Sequence, residues 1–173
     1  DVLEALGVNL SPTDAQIEAS FRDAGVAFMF AQQHHTAMKH VAPVRTALGI
    51  RTIFNMLGPP ANPAGVRRQV LGVFAPEWVE PVARALLALG AERAMVVHGL
   101  DGMDEISTTG ATLVAEVNGG GVNVREMTPE DIGVARVSLD QLRGGSVAEN
   151  AEALMRLLRG EPGPFADLVV VNA

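Results

Sequence analysis

Apolar positions along this chain fall in short runs separated by glycine- and proline-rich punctuation, and the period of each run predicts its element. Ser11-Pro12-Thr13-Asp14 offers an N-cap serine, a first-turn proline and an acidic third position ahead of Ile17 and Phe21, and Gly25 supplies the stop. A helix over about residues 12–24 follows. Val26 to Ala31 is an unbroken apolar run and predicts a short buried strand. A second helix should run from His35 or Thr36 to Leu48, kinked at Pro43 and closed by Gly49. RTIFNMLGPPANP, residues 51–63, is crowded with turn formers and reads as a structured connection.

QVLGVFA at 69–75 predicts a strand. Pro76 opens a helix carrying Trp78, Val82, Leu86 and Leu89 before Gly90, and Ala94 to Val97 is the next strand. That spacing implies a right-handed parallel β–α–β unit. Thr112 to Val117 and Val122 to Glu126 alternate around Asn118-Gly119-Gly120-Gly121, a hairpin signal expected at a sheet edge. Val147 to Arg159 repeats leucines at helical spacing, and the stretch after Pro164 is apolar enough for helix or strand. The expected fold is α/β: a mostly parallel sheet flanked by helices, with an edge β-hairpin.

Composition narrows the class. At 173 residues the whole chain, 1–173, is expected to be a single domain. Its 48% hydrophobic content includes six Phe, one Trp and no Tyr, so the core should be aliphatic, which suits parallel strands covered by helices. A formal net charge of −7 works against the electropositive surface that nucleic acid requires. The absence of cysteine excludes disulfides, thiolate zinc sites and a catalytic thiol. No signal segment and no apolar run near the ~20 residues of a membrane span is present, so a soluble, cytoplasmic protein is expected. The start at Asp1 and the stop within DLVVVNA read as cuts rather than natural termini.

The candidate chemistry centres on AMVVHGLDGMDEIS, residues 94–107, where an apolar run ends at His98-Gly99 and opens into Asp101, Asp104 and Glu105. A buried strand ending in a glycine-loosened acidic loop is how open α/β sheets hold a divalent cation and a phosphorylated ligand. Asp104 and Glu105 can both reach one Mg²⁺, directly or through its waters. The alternative is a solvated acidic loop, the ordinary fate of such pairs. His35 and His40 lie five positions apart and do not share a helix face, which argues against a histidine metal site. Arg45, on a helix after a buried strand, suits a carboxylate ligand, although an internal ion pair satisfies the same spacing. Arg67-Arg68 reads as a solvated pair, and Gly144-Gly145 as a loop with a helix cap. G-x-S-x-G, Walker A and G-x-G-x-x-G patterns are absent.

FMFAQQHHTAMKHVAPVRTALGIRTIFNMLGPPANP at 28–63, VVHGLDGMDEIS at 96–107 and LRGGSVAENA at 142–151 occur in register. Together they resemble the anthranilate phosphoribosyltransferases, and the resemblance covers essentially the whole chain. It implies the larger domain of the nucleoside phosphorylase/phosphoribosyltransferase-type fold. The implied reaction transfers a phosphoribosyl group from phosphoribosyl pyrophosphate to the amino group of anthranilate, with Mg²⁺ and release of pyrophosphate, a step of tryptophan biosynthesis. Arg45 matches the arginine facing the anthranilate carboxylate, His35 and Met38 match positions lining the anthranilate path, and Asp104 and Glu105 match the acidic pair that holds Mg²⁺. No residue is matched to a catalytic acid or base.

Departures from the family pattern also carry expectations. The family's GTGGD-type and KHGN-type segments and its N-terminal helical domain precede the sequence given, Asp1 to Glu4 resembling the end of the serine-rich stretch that follows them. The 173-residue chain alone is therefore expected to be nearly inactive, and the homodimer contact is expected in the missing N-terminal domain. Gln32 stands where a proline is frequent. The competing expectations are a noncatalytic nucleic-acid-binding relative on the same fold and a pyrimidine nucleoside phosphorylase-like enzyme. The first is opposed by the negative charge and the retained acidic pair, the second by HTAMKHVAPVR.

Overall fold

The computed structural model describes residues 1–30 and 65–173. Contacts divide the chain into two compact units, Asp1–Ala64 with Gly145–Glu152, and Gly65–Gly144 with Ala153–Ala173. In the first unit, α1 (Val2–Ala5) precedes α2 (Asp14–Ala24). The N-cap of α2 is Thr13 rather than the expected Ser11, because Gln16 completes a reciprocal capping box there. The Gln16 N–H donates to Thr13 Oγ1 at 3.3 Å and the Thr13 N–H to Gln16 Oε1 at 2.9 Å. Gly25, at φ 75°, closes the helix as expected.

Residues 26–30 form no ladder among the described residues, and Val26 and Phe28 are exposed. The buried strand expected over Val26 to Ala31 is not seen in residues 26–30, and Ala31 lies outside the described residues. The rings of Phe28 and Phe30 stack instead, with centroids 6.4 Å apart. The helix expected from His35 or Thr36 to Leu48 and the connection at 51–63 lie outside the described residues.

The second unit is built on one sheet with strands β1 (Arg68–Gly72), β2 (Arg93–Gly99), β3 (Thr112–Asn118) and β4 (Gly121–Met127), in that spatial order. β1 and β2 pair in parallel, as the β–α–β spacing predicts. A 3₁₀ turn at Pro76–Trp78 and helix α3 (Val79–Ala88) connect them. The remaining two pairings are antiparallel, so the sheet is mostly antiparallel, which corrects the expected mostly parallel sheet. The cause is the connection from β2 to β3: it contains no helix to carry the chain back across the sheet, and a parallel pairing needs such a crossover.

Helix α3 buries Val79, Val82, Ala83 and Leu86 and packs on β2, β3 and β4. Leu89, expected on that apolar face, falls past the helix end and is exposed. A second cluster joins Val97, Ile106, Val114 and Met127, with Met95 and Val171 against it. Alternation along β2 and β3 turns Val96, Ala115 and Val117 away from that cluster, toward the face left for α3. Both faces of β2 are thereby covered, which explains its near-continuous burial. Val171 belongs to α5 (Pro164–Asn172), so the ambiguous apolar tail is helical, with Pro164 in its first turn. Helix α4 (Val147–Leu158) starts at a Ser146–Glu149 capping box. The Ser146 N–H donates to the Glu149 carboxylate at 2.7 Å, the loop-and-cap reading of Gly144-Gly145. Arg67 and Arg68 both pair with Glu92, at 3.1 and 3.4 Å, and all three side chains are exposed.

Candidate functional site

The loop from Leu100 to Ala111 leaves the C-terminal end of β2, beside the C-terminal end of β1. Its base is closed by the Leu100 N–H donating to Ala111 O at 2.8 Å, and its first turn by the Gly99 N–H to Met103 O at 2.8 Å and the Gly102 N–H to Gly99 O at 2.9 Å. Gly102, at φ 100°, holds a backbone conformation that other residues rarely adopt. His98, buried at the end of β2, brings Nδ1 within 2.8 Å of Val73 O and so ties β2 to the chain leaving β1.

The three carboxylates of the loop have different fates. Asp101 turns inward and accepts hydrogen bonds from the hydroxyls of Ser107 and Thr109 and from the Met103 N–H at 3.1 Å. Ser107 Oγ in turn accepts the Thr109 N–H at 2.9 Å, while the Ser107 N–H donates to Thr112 Oγ1 at 2.9 Å. Burial pushes the Asp101 carboxyl up, but the two hydroxyls and the amide outweigh it, and the group sits below its ordinary value. Its oxygens are committed to the loop. Asp104 and Glu105, in contrast, are exposed, and neither is ion-paired among the described residues.

Two backbone contacts fix the acidic pair. A Cβ on Gly72 would stand 1.5 Å from Asp104 O, so the loop's main chain lies directly on the last residue of β1 and glycine is obligatory there. On the other side, the Asn172 side chain takes both main-chain groups of Ile106: the Ile106 N–H donates to Oδ1 at 2.8 Å, and Nδ2 donates to Ile106 O at 3.0 Å. Sequence reasoning missed both residues. A glycine interrupting an apolar strand and a lone polar residue in LVVVNA were the available signals.

The donor set discriminates among metals. Among the described residues no group of three or more His, Asp or Glu is placed to hold an ion. Two adjacent, exposed carboxylates with no cation of their own among the described residues fit Mg²⁺, which keeps several waters and takes further ligands from substrate phosphates. Of the residues matched by resemblance, Asp104 and Glu105 stand together at the end of β2, whereas Arg45, His35 and Met38 lie outside the described residues. No helix among the described residues is long and apolar enough to cross a membrane.

Comparison with known proteins gives this geometry a context. The chain is 60% identical over 172 residues to anthranilate phosphoribosyltransferase of Parvibaculum lavamentivorans, covering 99% of this chain and 50% of that protein. The crystal structure of anthranilate phosphoribosyltransferase from Thermus thermophilus superposes with a TM-score of 0.88 at 48% identity, over 97% of this chain and 50% of that one. The Saccharomyces cerevisiae enzyme in complex with PRPP (phosphoribosyl pyrophosphate) and Mg superposes with a TM-score of 0.87 at 28% identity, over 99% of this chain and 50% of that one. The chain thus spans about half the length of the curated relatives it matches. The family model described as glycosyl transferase family, a/b domain, matches residues 1–173, and the chain belongs to that family.

Proposed function

We propose that the complete gene product containing this chain is an anthranilate phosphoribosyltransferase, and that residues 1–173 form part of its α/β catalytic domain. The observation that carries this reading is the exposed Asp104–Glu105 carboxylates, without an ion-pair partner among the described residues, held at the C-terminal end of β2 in a chain so similar to enzymes of that name. Asp104 and Glu105 would hold Mg²⁺ together with its waters and the pyrophosphate oxygens of phosphoribosyl pyrophosphate. When bound, the cation neutralises the charge that builds on the departing pyrophosphate. Arg45 would face the anthranilate carboxylate as a planar, bidentate donor, and His35 and Met38 would line the path by which anthranilate enters.

The nucleophile asks little of the protein. An aromatic amine is neutral at pH 7, so orientation toward the anomeric carbon outweighs proton removal, in keeping with the lack of an assigned general base. The negative charge of the chain supports small-molecule substrates over nucleic acid. A cytoplasmic homodimer, joined through an N-terminal domain, is the form of the complete protein that the resemblance supports; the 173-residue chain alone would release little pyrophosphate.

The test is pyrophosphate release by the complete gene product, dependent on anthranilate, phosphoribosyl pyrophosphate and Mg²⁺. Asp104→Ala with Glu105→Ala should raise the Mg²⁺ concentration required for half-maximal rate about tenfold or more. Arg45→Ala should weaken anthranilate binding while phosphoribosyl pyrophosphate binding is retained. Wild-type Mg²⁺ dependence in the double variant would remove the metal assignment, and salt-dependent DNA binding without anthranilate binding would replace the enzyme reading altogether.

A further inference from the structure

We propose that Asn172 is a positioning residue for the Asp104–Glu105 pair, holding the acidic loop in the shape a cation requires. The inference rests on the cation reading of that pair. Asn172 lies at the last turn of α5, far from the loop in sequence, yet it pairs with the residue immediately after Glu105 as a neighbouring strand would. Oδ1 accepts the Ile106 N–H and Nδ2 donates to Ile106 O. Nδ2 also donates to Leu168 O at 2.9 Å, one turn back in α5, so the amide is oriented by its own helix before it meets the loop. Its neighbour Val171 packs against the cluster containing Ile106.

These contacts leave the pair held from both ends. Asp104 O presses on Gly72, and Ile106 is gripped by Asn172, while the next residue, Ser107, donates its N–H to Thr112. The carboxylates are exposed and supply no such anchor, so their placement depends on this backbone. Burial of Ile106 alone would not fix it: a side chain in an apolar cluster sets the depth of the loop, whereas two directional hydrogen bonds on one residue set the rotation of its peptide planes. An asparagine in the apolar run LVVVNA is otherwise an unfavourable choice, since a leucine would bury more apolar surface at similar size. Mg²⁺ demands near-ideal octahedral geometry, so a loosened pair loses affinity even with both carboxylates intact.

The experiment measures binding of Mn²⁺ alone to the complete gene product by water-proton relaxation, with amide hydrogen exchange at Ile106 as a second readout. Asn172→Leu should weaken Mn²⁺ binding about tenfold and speed exchange at Ile106, with anthranilate affinity unchanged. Asn172→Asp keeps the acceptor for the Ile106 N–H, loses both donors and should fall between wild type and Asn172→Leu; it decides the question if the leucine variant does not fold. Leu86→Ala, which opens a cavity under α3 away from the loop, should leave Mn²⁺ affinity at the wild-type value. Wild-type Mn²⁺ affinity in the Asn172 variants, or an equal loss in Leu86→Ala, overturns the proposal. If Asp104→Ala with Glu105→Ala binds Mn²⁺ like wild type, the cation reading fails. If that double variant loses Mn²⁺ and the Asn172 variants do not, the positioning role alone fails.

Discussion

The two connections that flank β3 solve the same problem, reversing the chain between antiparallel strands, by opposite means. Between β3 and β4 the reversal takes two glycines, Gly119 at φ 60° and Gly120 at φ 85°, with Asn118 paired directly to Gly121. That turn is made of backbone conformation alone, as in the tight hairpins whose twist matches the strands. Between β2 and β3 the chain takes the long route through residues 100–111. It is held by side chains: Asp101 gathering Ser107 and Thr109, Asn172 gripping Ile106, and Thr112 receiving the Ser107 N–H. A short turn needs no side chains and offers none, whereas a loop stabilised by side chains can spare two exposed carboxylates for other work.

The contrast can be broken most severely at Gly72. Gly72→Ala forces a Cβ into Asp104 O, which neither the strand nor the loop can yield without moving, and should destabilise the protein by about 3 kcal/mol, read by thermal or urea unfolding. A smaller effect is expected at Asp101. Asp101→Asn leaves one acceptor oxygen where two served three donors, and should cost about 2 kcal/mol after allowance for its partial exposure. The pH dependence has a definite sign. The Asp101 carboxyl is lowered in the fold from an ordinary value of 3.8, so its contribution is complete above that value and disappears as pH falls through the lowered one. Unfolding curves of wild type and Asp101→Asn should therefore converge in acid, and a gap that widens below about pH 4 would contradict the network. Least damaging is Gly119→Ala, which places a Cβ in a left-handed conformation with open space around it and should cost about 1 kcal/mol in the same assay.

The same contrast separates what was legible in the sequence from what was not. The Gly119-Gly120 turn, the β1–α3–β2 unit and the acidic loop are local features, and each was visible in a window of a few residues. Sheet direction is less legible: aliphatic composition and one β–α–β spacing suit parallel strands, but the direction of β3 is set by a connection from β2 that holds no helix. The supports of the acidic pair were invisible for a different reason. Gly72 meets Asp104 across a strand boundary, and Asn172 meets Ile106 across 66 positions, so no periodicity links them. Asp101, Asp104 and Glu105 look alike as letters; the hydroxyls of Ser107 and Thr109 and the Met103 N–H distinguish the carboxylate that is consumed from the two left facing solvent.

His98 gives this junction a spectroscopic handle. A ring nitrogen facing a carbonyl oxygen must carry the hydrogen, so the contact of Nδ1 with Val73 O places a hydrogen on Nδ1. The nitrogen frequencies of one buried imidazole thus report whether the ends of β1 and β2 are joined, and a label there follows the strands that support the loop.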